Sequence, residues 1–289
     1  MSTIAFLGLG NMGGPMAANL IGDGHRVVGF DPSADALAAA REHGVEPADS
    51  AEAAVAGADV VITMLPSGAI VRSVYETVLP HATPGQLFID SSTISVEDAR
   101  DVNKLATDAG ILQIDAPVSG GVKGATAGAL AFMVGGDDAS LAAARPVLEP
   151  MAGKVVACGD PGNGQAAKLC NNMILAVQQV AVGEAFVLAE KLGLSDQALY
   201  DVVTGATGNC WALHTNCPVP GPVPTAPSEN EFRPGFATAL MNKDLGLAMA
   251  AVESAGSTAP LGTQAADLYA AFAQENGHLD FSAIIGTLK

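Results

Sequence analysis

Basic side chains are what this sequence has least of. Thirteen Lys and Arg stand against 30 Asp and Glu, a formal net charge of −17. A chain so acidic is repelled by phosphate backbones and by anionic lipid, so nucleic-acid and membrane partners are disfavoured. Aromatics are only 4% of residues, which argues against stacking platforms for single strands. The four cysteines, Cys158, Cys170, Cys210 and Cys217, show neither a CxxC nor a zinc spacing, and are too few for a secreted disulfide scaffold. They read as free, buried thiols in a reducing cytoplasm. No HExxH, EF-hand or serine-hydrolase elbow occurs, so no metal site is expected. No run of about 20 predominantly apolar residues marks a membrane span. The first 22 residues carry no side-chain charge, yet they lack a basic start and are broken by Gly8, Gly10, Gly13, Gly14 and Pro15, unlike a signal peptide.

What is present is apolar residues, 49% against 15% charged, which excludes a disordered chain. At roughly 150 residues per domain, the length suggests two domains. Up to about residue 160, short apolar runs alternate with helical patterns. Thr3–Leu7, Arg26–Phe30, Val60–Leu65, Gln86–Ile89, Ile111–Ala116, Leu130–Val134 and Val155–Cys158 read as strands, mostly continuous, as suits strands buried on both faces of a mostly parallel sheet. Ser95 and Asp98 form a capping box opening a helix over Val96–Asp108. Together these predict a doubly wound α/β domain. From Gly164 to Leu192 the chain reads as one helix, on the order of 40 Å long, and Asp196–Val203, Thr238–Ser254, Gly262–Glu275 and Phe281–Leu288 read as further helices. The expected boundary separates residues 1–161 from an all-α part, residues 162–289. One irregular segment, Gly208–Gly235, holds Pro218, Pro220, Pro222, Pro224, Pro227 and Pro234. It is a linker or a functional loop, and its single Trp211 favours the loop.

Gly8-Leu9-Gly10-Asn11-Met12-Gly13 follows a predicted strand and opens a predicted helix. In that context GxGxxG is a dinucleotide fingerprint: Gly8 for the turn, Gly10 for backbone approach to a pyrophosphate, Gly13 for close helix packing. Asp31 ends the next strand, 18 residues beyond Gly13, where an acid hydrogen-bonds a ribose diol; the alternative is a turn residue. A 2′-phosphate there would meet a carboxylate, with no Arg or Lys before Arg41. The expected cofactor is NAD rather than NADP. Leu65-Pro66 and Ser91-Ser92-Thr93 lie at later strand ends, where ligands of open α/β sheets bind.

Hydride transfer also needs a group for the substrate's hydroxyl proton and an anchor for its other end. Gln165, Lys168, Asn172 and Gln179 share one stripe of the long helix. Lys168 on that stripe, partly desolvated beside a nicotinamide, could act as a base, or it is a solvated surface lysine. Asp115-Ala116-Pro117-Val118-Ser119-Gly120-Gly121 offers donors for a carboxylate, or is an unremarkable glycine turn. Lys243 and Asp244 read as surface charges. His214, near Trp211, is the competing base.

These stretches together resemble the β-hydroxyacid dehydrogenase family over essentially the whole chain. Gly8–Ala17 looks like its N-terminal signature, Asp115–Gly121 like its substrate motif, Gly164–Asn172 like its catalytic motif and Lys243-Asp244-Leu245 like its C-terminal one. Cys210-Trp211, Pro218–Gly221, Gly235-Phe236 and Leu240–Ala248 point to the members that act on 3-hydroxyisobutyrate. The resemblance implies a Rossmann domain, a long interdomain helix and an all-α domain that mediates a homodimer or homotetramer. It implies Lys168 as the catalytic residue, Ser119, Gly120, Gly121 and Asn172 on the substrate, and Gly8, Gly10, Asn11, Met12, Gly13, Asp31, Leu65, Pro66, Ile70, Thr93 and Lys243 on NAD. Ile70 departs from the polar residue common in relatives. The implied reaction is oxidation of a small 3-hydroxy acid, 3-hydroxyisobutyrate, to methylmalonate semialdehyde in valine degradation. Reduction of a related semialdehyde such as tartronate semialdehyde, or a non-catalytic dinucleotide sensor, are the rivals.

Overall fold

The computed structural model describes residues 1–288. They fall into two units, Met1–Lys168 and the residues from Leu169 onward.

The first unit alternates strands and helices. It runs β1 (Thr3–Leu7), α1 (Gly13–Gly22), β2 (Arg26–Phe30), α2 (Ala34–Glu42), β3 (Glu46–Pro47), α3 (Ala51–Val55), β4 (Val60–Thr63) and α4 (Gly68–Val78). It continues with β5 (Leu87–Asp90), α5 (Val96–Asp108), β6 (Leu112–Asp115), β7 (Val118–Ser119), α6 (Gly121–Thr126), β8 (Leu130–Gly135), α7 (Asp138–Leu148) and β9 (Ala152–Gly159). Strands β3-β2-β1-β4-β5-β6 are parallel neighbours in that order. β8 runs antiparallel to β6 and β7 and parallel to β9. The sheet is therefore mostly parallel and doubly wound, as expected.

Every residue of β4 and β5 is buried, because helices cover both faces. Successive side chains of a strand point to opposite faces, and the core divides accordingly. Ile4, Phe6, Ile62 and Ile89 pack with Met16 and Leu20 of α1. Ala5, Leu7, Val61 and Phe88 pack with Val71 and Tyr75 of α4 and Val102 of α5. The Ser95 hydroxyl accepts the Asp98 N–H and caps α5, as the capping box predicts.

The second unit is helical. α8 (Asn163–Lys191, 29 residues) starts in the first unit and continues into it. α9 (Asp196–Thr204), α10 (Trp211–His214), α11 (Thr238–Ser254) and α12 (Pro260–Asn276) follow. The segment expected as a helix over Phe281–Leu288 is helical, but as a 3₁₀ helix, Phe281–Thr287, rather than an α-helix. Phe281 to Ile285 are all buried, so packing on every side, not an amphipathic 3.6 period, shapes it. The Pro-rich stretch is no linker. Cys217, Val219, Val223 and Ala226 pack on Val182 and Phe186 of α8. The buried Asp280 carboxylate holds it on either side of its prolines, accepting from the Asn216 amide and from the Gly235 and Phe236 N–H groups.

Two expectations need correction. All four cysteines are free, but only Cys217 is buried, and Cys170 is exposed. And α8 is, by length and composition, apolar enough to cross a membrane. Its polar stripe decides how it is used: Gln165, Lys168, Asn172 and Gln179 are buried and hydrogen-bonded to protein groups, as in a core helix.

Asp90 and Asp115 face each other in register at the ends of β5 and β6, both buried. Burial pushes each carboxyl up to about 6. A folded pKa above the unfolded value means that the folded chain binds more protons between about pH 4 and 6, so stability falls as pH rises through that window. Asp90 Oδ1 accepts from the Thr63 hydroxyl and the Ser92 N–H, while Oδ2 has no partner among the described residues. Asp90→Asn keeps the first oxygen and removes the charge. It is expected to raise the melting temperature at pH 7.5, by the equivalent of about 1–3 kcal/mol, with the gain fading as pH falls from about 6 to about 4. Thermal denaturation across pH 4.5–8 checks this; a pH-independent difference would contradict it.

Candidate active site

The glycine loop follows β1, whose end is fixed by its neighbours β2 and β4. Gly8 has φ +95°, and a Cβ there would lie 2.3 Å from the Met64 carbonyl oxygen. A Cβ at Gly13 would fall 1.9 Å from the Gly8 carbonyl oxygen, so the helix can approach the loop only with glycine there. A Cβ at Gly10 would meet nothing within 4 Å. That open ground beside exposed backbone, at the start of a ten-residue helix, fits a pyrophosphate. Asn11 is exposed beside it, while Met12 packs on the core. The half-buried Asp31 carboxylate accepts the Leu9 N–H at 2.7 Å and the Ser33 N–H at 2.8 Å. It thus ties the loop to the end of β2 and keeps lone pairs for ribose hydroxyls.

The neighbouring strand ends form a connected group. The Leu65 N–H donates to the Ser92 hydroxyl at 2.8 Å. Pro66 is exposed and Thr93 half-buried. Ile70 is 42% exposed, and only its backbone offers polar atoms.

Ser119 lies in β7, a two-residue strand paired with β8 through Ser119 and Ala131. It is half-buried and is followed by the exposed Gly120, at φ +133°. Lys168 is 6% exposed, which removes the solvated-lysine reading. Its Nζ donates to the Val118 carbonyl at 2.8 Å, one residue from Ser119. The amine and the proposed anchor are thereby brought together. Gln165, one turn earlier, donates to the Ser92 carbonyl at 2.7 Å and accepts the Ile94 N–H at 3.2 Å. Asp115 was legible only as the first residue of the glycine motif. Its carboxylate accepts the Gly162 N–H at 2.7 Å and the Gln165 N–H at 2.9 Å, at the start of α8.

In the second unit, Asn172 is 2% exposed and its amide donates to Asp244 Oδ2 at 2.6 Å. Asp244 is 4% exposed, so it is not the surface charge its polar neighbourhood suggested. Lys243 is half-buried. Trp211 is 45% exposed. His214 is exposed, with Nδ1 3.0 Å from the Thr215 hydroxyl, so among the described residues no buried partner orients its ring. Among the described residues, no group of three or more His, Cys, Asp or Glu could hold a metal ion.

Residues 3–159 match the family model for the NAD binding domain of 6-phosphogluconate dehydrogenase. Residues 162–288 match the model described as NAD-binding of NADP-dependent 3-hydroxyisobutyrate dehydrogenase. A probable 3-hydroxyisobutyrate dehydrogenase of Mycobacterium tuberculosis is 69% identical over 289 residues, 100% of this chain and 98% of that protein. The chain belongs to the 3-hydroxyisobutyrate dehydrogenase family. It is thus an NAD-dependent oxidoreductase of that type, in line with the β-hydroxyacid dehydrogenase motifs. The solved structure of M. tuberculosis 3-hydroxyisobutyrate dehydrogenase with L-serine is similar to it, with TM-score 0.98 and 69% identity, covering 100% of this chain and 99% of that one. Two Pseudomonas aeruginosa proteins are similar to the dehydrogenase over 98% of its length and 97% of theirs. One is a 3-hydroxyisobutyrate dehydrogenase at 47% identity and the other an NAD-dependent L-serine dehydrogenase at 42%.

The loop glycines of the dehydrogenase have separable duties. Gly13→Ala is expected to destabilise the fold, since its methyl would strike the Gly8 carbonyl. Gly10→Ala is expected to leave the melting temperature within about 1–2 °C of the native protein, a surface-like change, while weakening NADH binding severalfold. Fluorescence titration of NADH alongside thermal denaturation checks both; a Gly10→Ala protein with native affinity would remove the pyrophosphate from this loop.

Proposed function

We propose that the chain oxidises 3-hydroxyisobutyrate to methylmalonate semialdehyde with NAD, a step of valine degradation, and that Lys168 takes the hydroxyl proton. The observation that carries this reading is the buried Lys168 amine, held by the Val118 carbonyl next to Ser119. A protein that only binds a dinucleotide has no use for a buried amine beside a carboxylate anchor.

Bound NAD supplies the hydride acceptor. The Gly8–Gly13 backbone, with Asn11 and Met12, receives its pyrophosphate, and Asp31 its ribose hydroxyls. Asp31 also disfavours NADP, because a 2′-phosphate would face a carboxylate and find no basic residue before Arg41. Leu65, Pro66, the Ile70 backbone, Thr93 and Lys243 complete the cofactor contacts, as the family resemblance implies. Ser119 and the Gly120 and Gly121 amides hold the substrate carboxylate. The neutral Lys168 amine accepts the proton as the C–O bond becomes a carbonyl, and Asn172, steadied by Asp244, orients the substrate oxygen. Residues 1–161 serve the dinucleotide, and residues 162–289 serve substrate binding and assembly into a homodimer or homotetramer in the cytoplasm.

L-serine oxidation is the second reading. It is favoured by the L-serine dehydrogenase relative and by the relative solved with L-serine, and it needs only an ammonium in place of the methyl. Tartronate semialdehyde reduction would run the same chemistry in reverse.

Initial rates with 3-hydroxyisobutyrate and L-serine, each with NAD and NADP, and with tartronate semialdehyde and NADH, test the assignment. The largest kcat/KM is expected for 3-hydroxyisobutyrate with NAD, and Asp31→Ala should narrow the cofactor gap. A higher kcat/KM for L-serine would replace the substrate, and equal use of NADP would remove the role of Asp31.

The lysine is tested separately. Lys168→Ala should fold and bind NADH yet lose kcat on the order of 10²-fold or more. Lys168→Arg should fail likewise, since guanidinium stays protonated. The oxidation rate of the native enzyme should rise with pH, and that limb should vanish in both variants. Near-normal turnover of Lys168→Ala with the limb intact would move the base elsewhere.

A further inference from the structure

Nothing assigned so far gives Asp115 a part in the reaction, although it is among the most constrained side chains of the first unit. It ends β6 and is 1% exposed. Oδ1 accepts the Gly162 N–H at 2.7 Å and Oδ2 the Gln165 N–H at 2.9 Å, with the Gly164 N–H also directed at the carboxylate. Glycine backbone packs closely against both oxygens. A Cβ at Gly135 would lie 2.5 Å from Oδ1, and one at Gly164 would lie 2.7 Å from Oδ2.

The first N–H groups of a helix have no partner within it. In α8, Asn163 N–H reaches the Asp160 carbonyl and Ala166 N–H the Gly162 carbonyl. The remaining amides at this buried start fall to Asp115, whose negative charge also suits a helix N-terminus. Three residues on from Asp115 along the chain, the Val118 carbonyl receives the Lys168 amine at 2.8 Å, and Ser119 follows. The result is a closed circuit: Asp115 to the α8 start, one turn of helix to Lys168, Lys168 to Val118, and backbone back to Asp115. The Val118 contact secures only the tip of a long, flexible side chain. Where its Cα stands is set by where the helix begins.

We infer that Asp115 is a positioning residue for the dehydrogenase reaction, its carboxylate fixing the start of α8 and so the placement of Lys168 against the Ser119 anchor. The inference rests on the reading of Lys168 as the proton acceptor. Without the carboxylate, the buried Gly162 and Gln165 amides must find other acceptors, and the helix start moves to reach them. A displacement of about 1 Å at a reacting group costs on the order of 10²-fold in rate. Asparagine can accept at one oxygen only and turns an NH₂ toward the other amide, so it is a partial substitute.

The test is steady-state kinetics on the native enzyme, Asp115→Ala, Asp115→Asn, Lys168→Ala and the Asp115→Ala/Lys168→Ala double variant, with NADH affinity and melting temperature measured for each. Asp115→Ala is expected to lower kcat roughly 10- to 100-fold with little change in KM or NADH affinity, and Asp115→Asn should recover part of it. In the Lys168→Ala background the same change should cost almost nothing further, because the lysine it positions is gone. If Asp115→Ala does not fold, the drop in kcat at steady KM for Asp115→Asn carries the test. A kcat loss of equal size with and without Lys168 would overturn the inference, as would native kcat in Asp115→Ala or, where that protein does not fold, in Asp115→Asn. Normal turnover of Lys168→Ala alone is a different failure, that of the lysine reading itself.

Discussion

A 29-residue helix that begins inside protein must have something to receive its first amides, and in this chain that something is one carboxylate. Asp115 stands at the end of β6, opposite Gly135 of β8 and in register with Asp90 of β5. From the turn it secures, Gln165 reaches the Ser92 carbonyl and the Ile94 N–H, and Ser92 in turn holds the Leu65 N–H. The ends of three strands and the start of α8 are therefore joined through hydrogen-bonded polar groups. Lys168 inherits its place from that arrangement. The cost is a charge kept out of water, visible as a carboxyl pushed up to about 6 by burial, and backbone N–H donors reduce that cost without a cation.

How much of this was legible depends on whether a residue's role is local. β1, β2, α5 and α11 were readable to the residue, because an apolar run, a capping box or an amphipathic stripe is complete within its own segment. β3 and β7 span two residues each, too short for any period to register. β7 matters most, since it turns the substrate motif from a loop into paired backbone. The helical stripe of Gln165, Lys168, Asn172 and Gln179 was visible from spacing, but spacing says which residues share a face and not what covers it. The choice between a solvated and a buried lysine therefore waited on Val118. Asp244 was misread for the same reason: its partner Asn172 is 72 residues away along the chain. The Pro-rich stretch read as a linker or a functional loop, with the loop favoured; its packing on α8 and its bonds to Asp280 join residues too far apart along the chain for composition to show.

The glycine fingerprint shows the opposite case. Its three glycines serve three different physical needs within six residues, and each is legible because its partner is close in sequence or set by the strand–turn–helix geometry. Gly13 is excluded from carrying a side chain by Gly8 itself. Gly10 faces open ground, so packing gives no reason for its lack of a side chain, and the proposed pyrophosphate contact supplies one. Asp31 ties the loop to the end of β2, because the carboxylate proposed to meet a ribose also holds the Leu9 amide of the loop.

Substrate choice rests on a smaller lever than cofactor binding. 3-Hydroxyisobutyrate and L-serine share the carboxylate that Ser119 is proposed to hold and the hydroxyl that Lys168 is proposed to deprotonate. They differ only in the group on the carbon between, methyl or ammonium. A methyl in an apolar pocket is worth about 1–3 kcal/mol of discrimination. An ammonium left without acceptors in the same place costs more, because a buried unpaired charge is far dearer than a lost contact. A site lined by carbon beside that group therefore rejects L-serine strongly, and one well-placed oxygen reverses the preference. In its proposed role Lys168 weighs on the same side as carbon, since the protonated lysine that oxidation would form repels a neighbouring ammonium. The catalytic motifs are accordingly common ground for both acids, and the residues that touch the middle carbon's substituent decide between them.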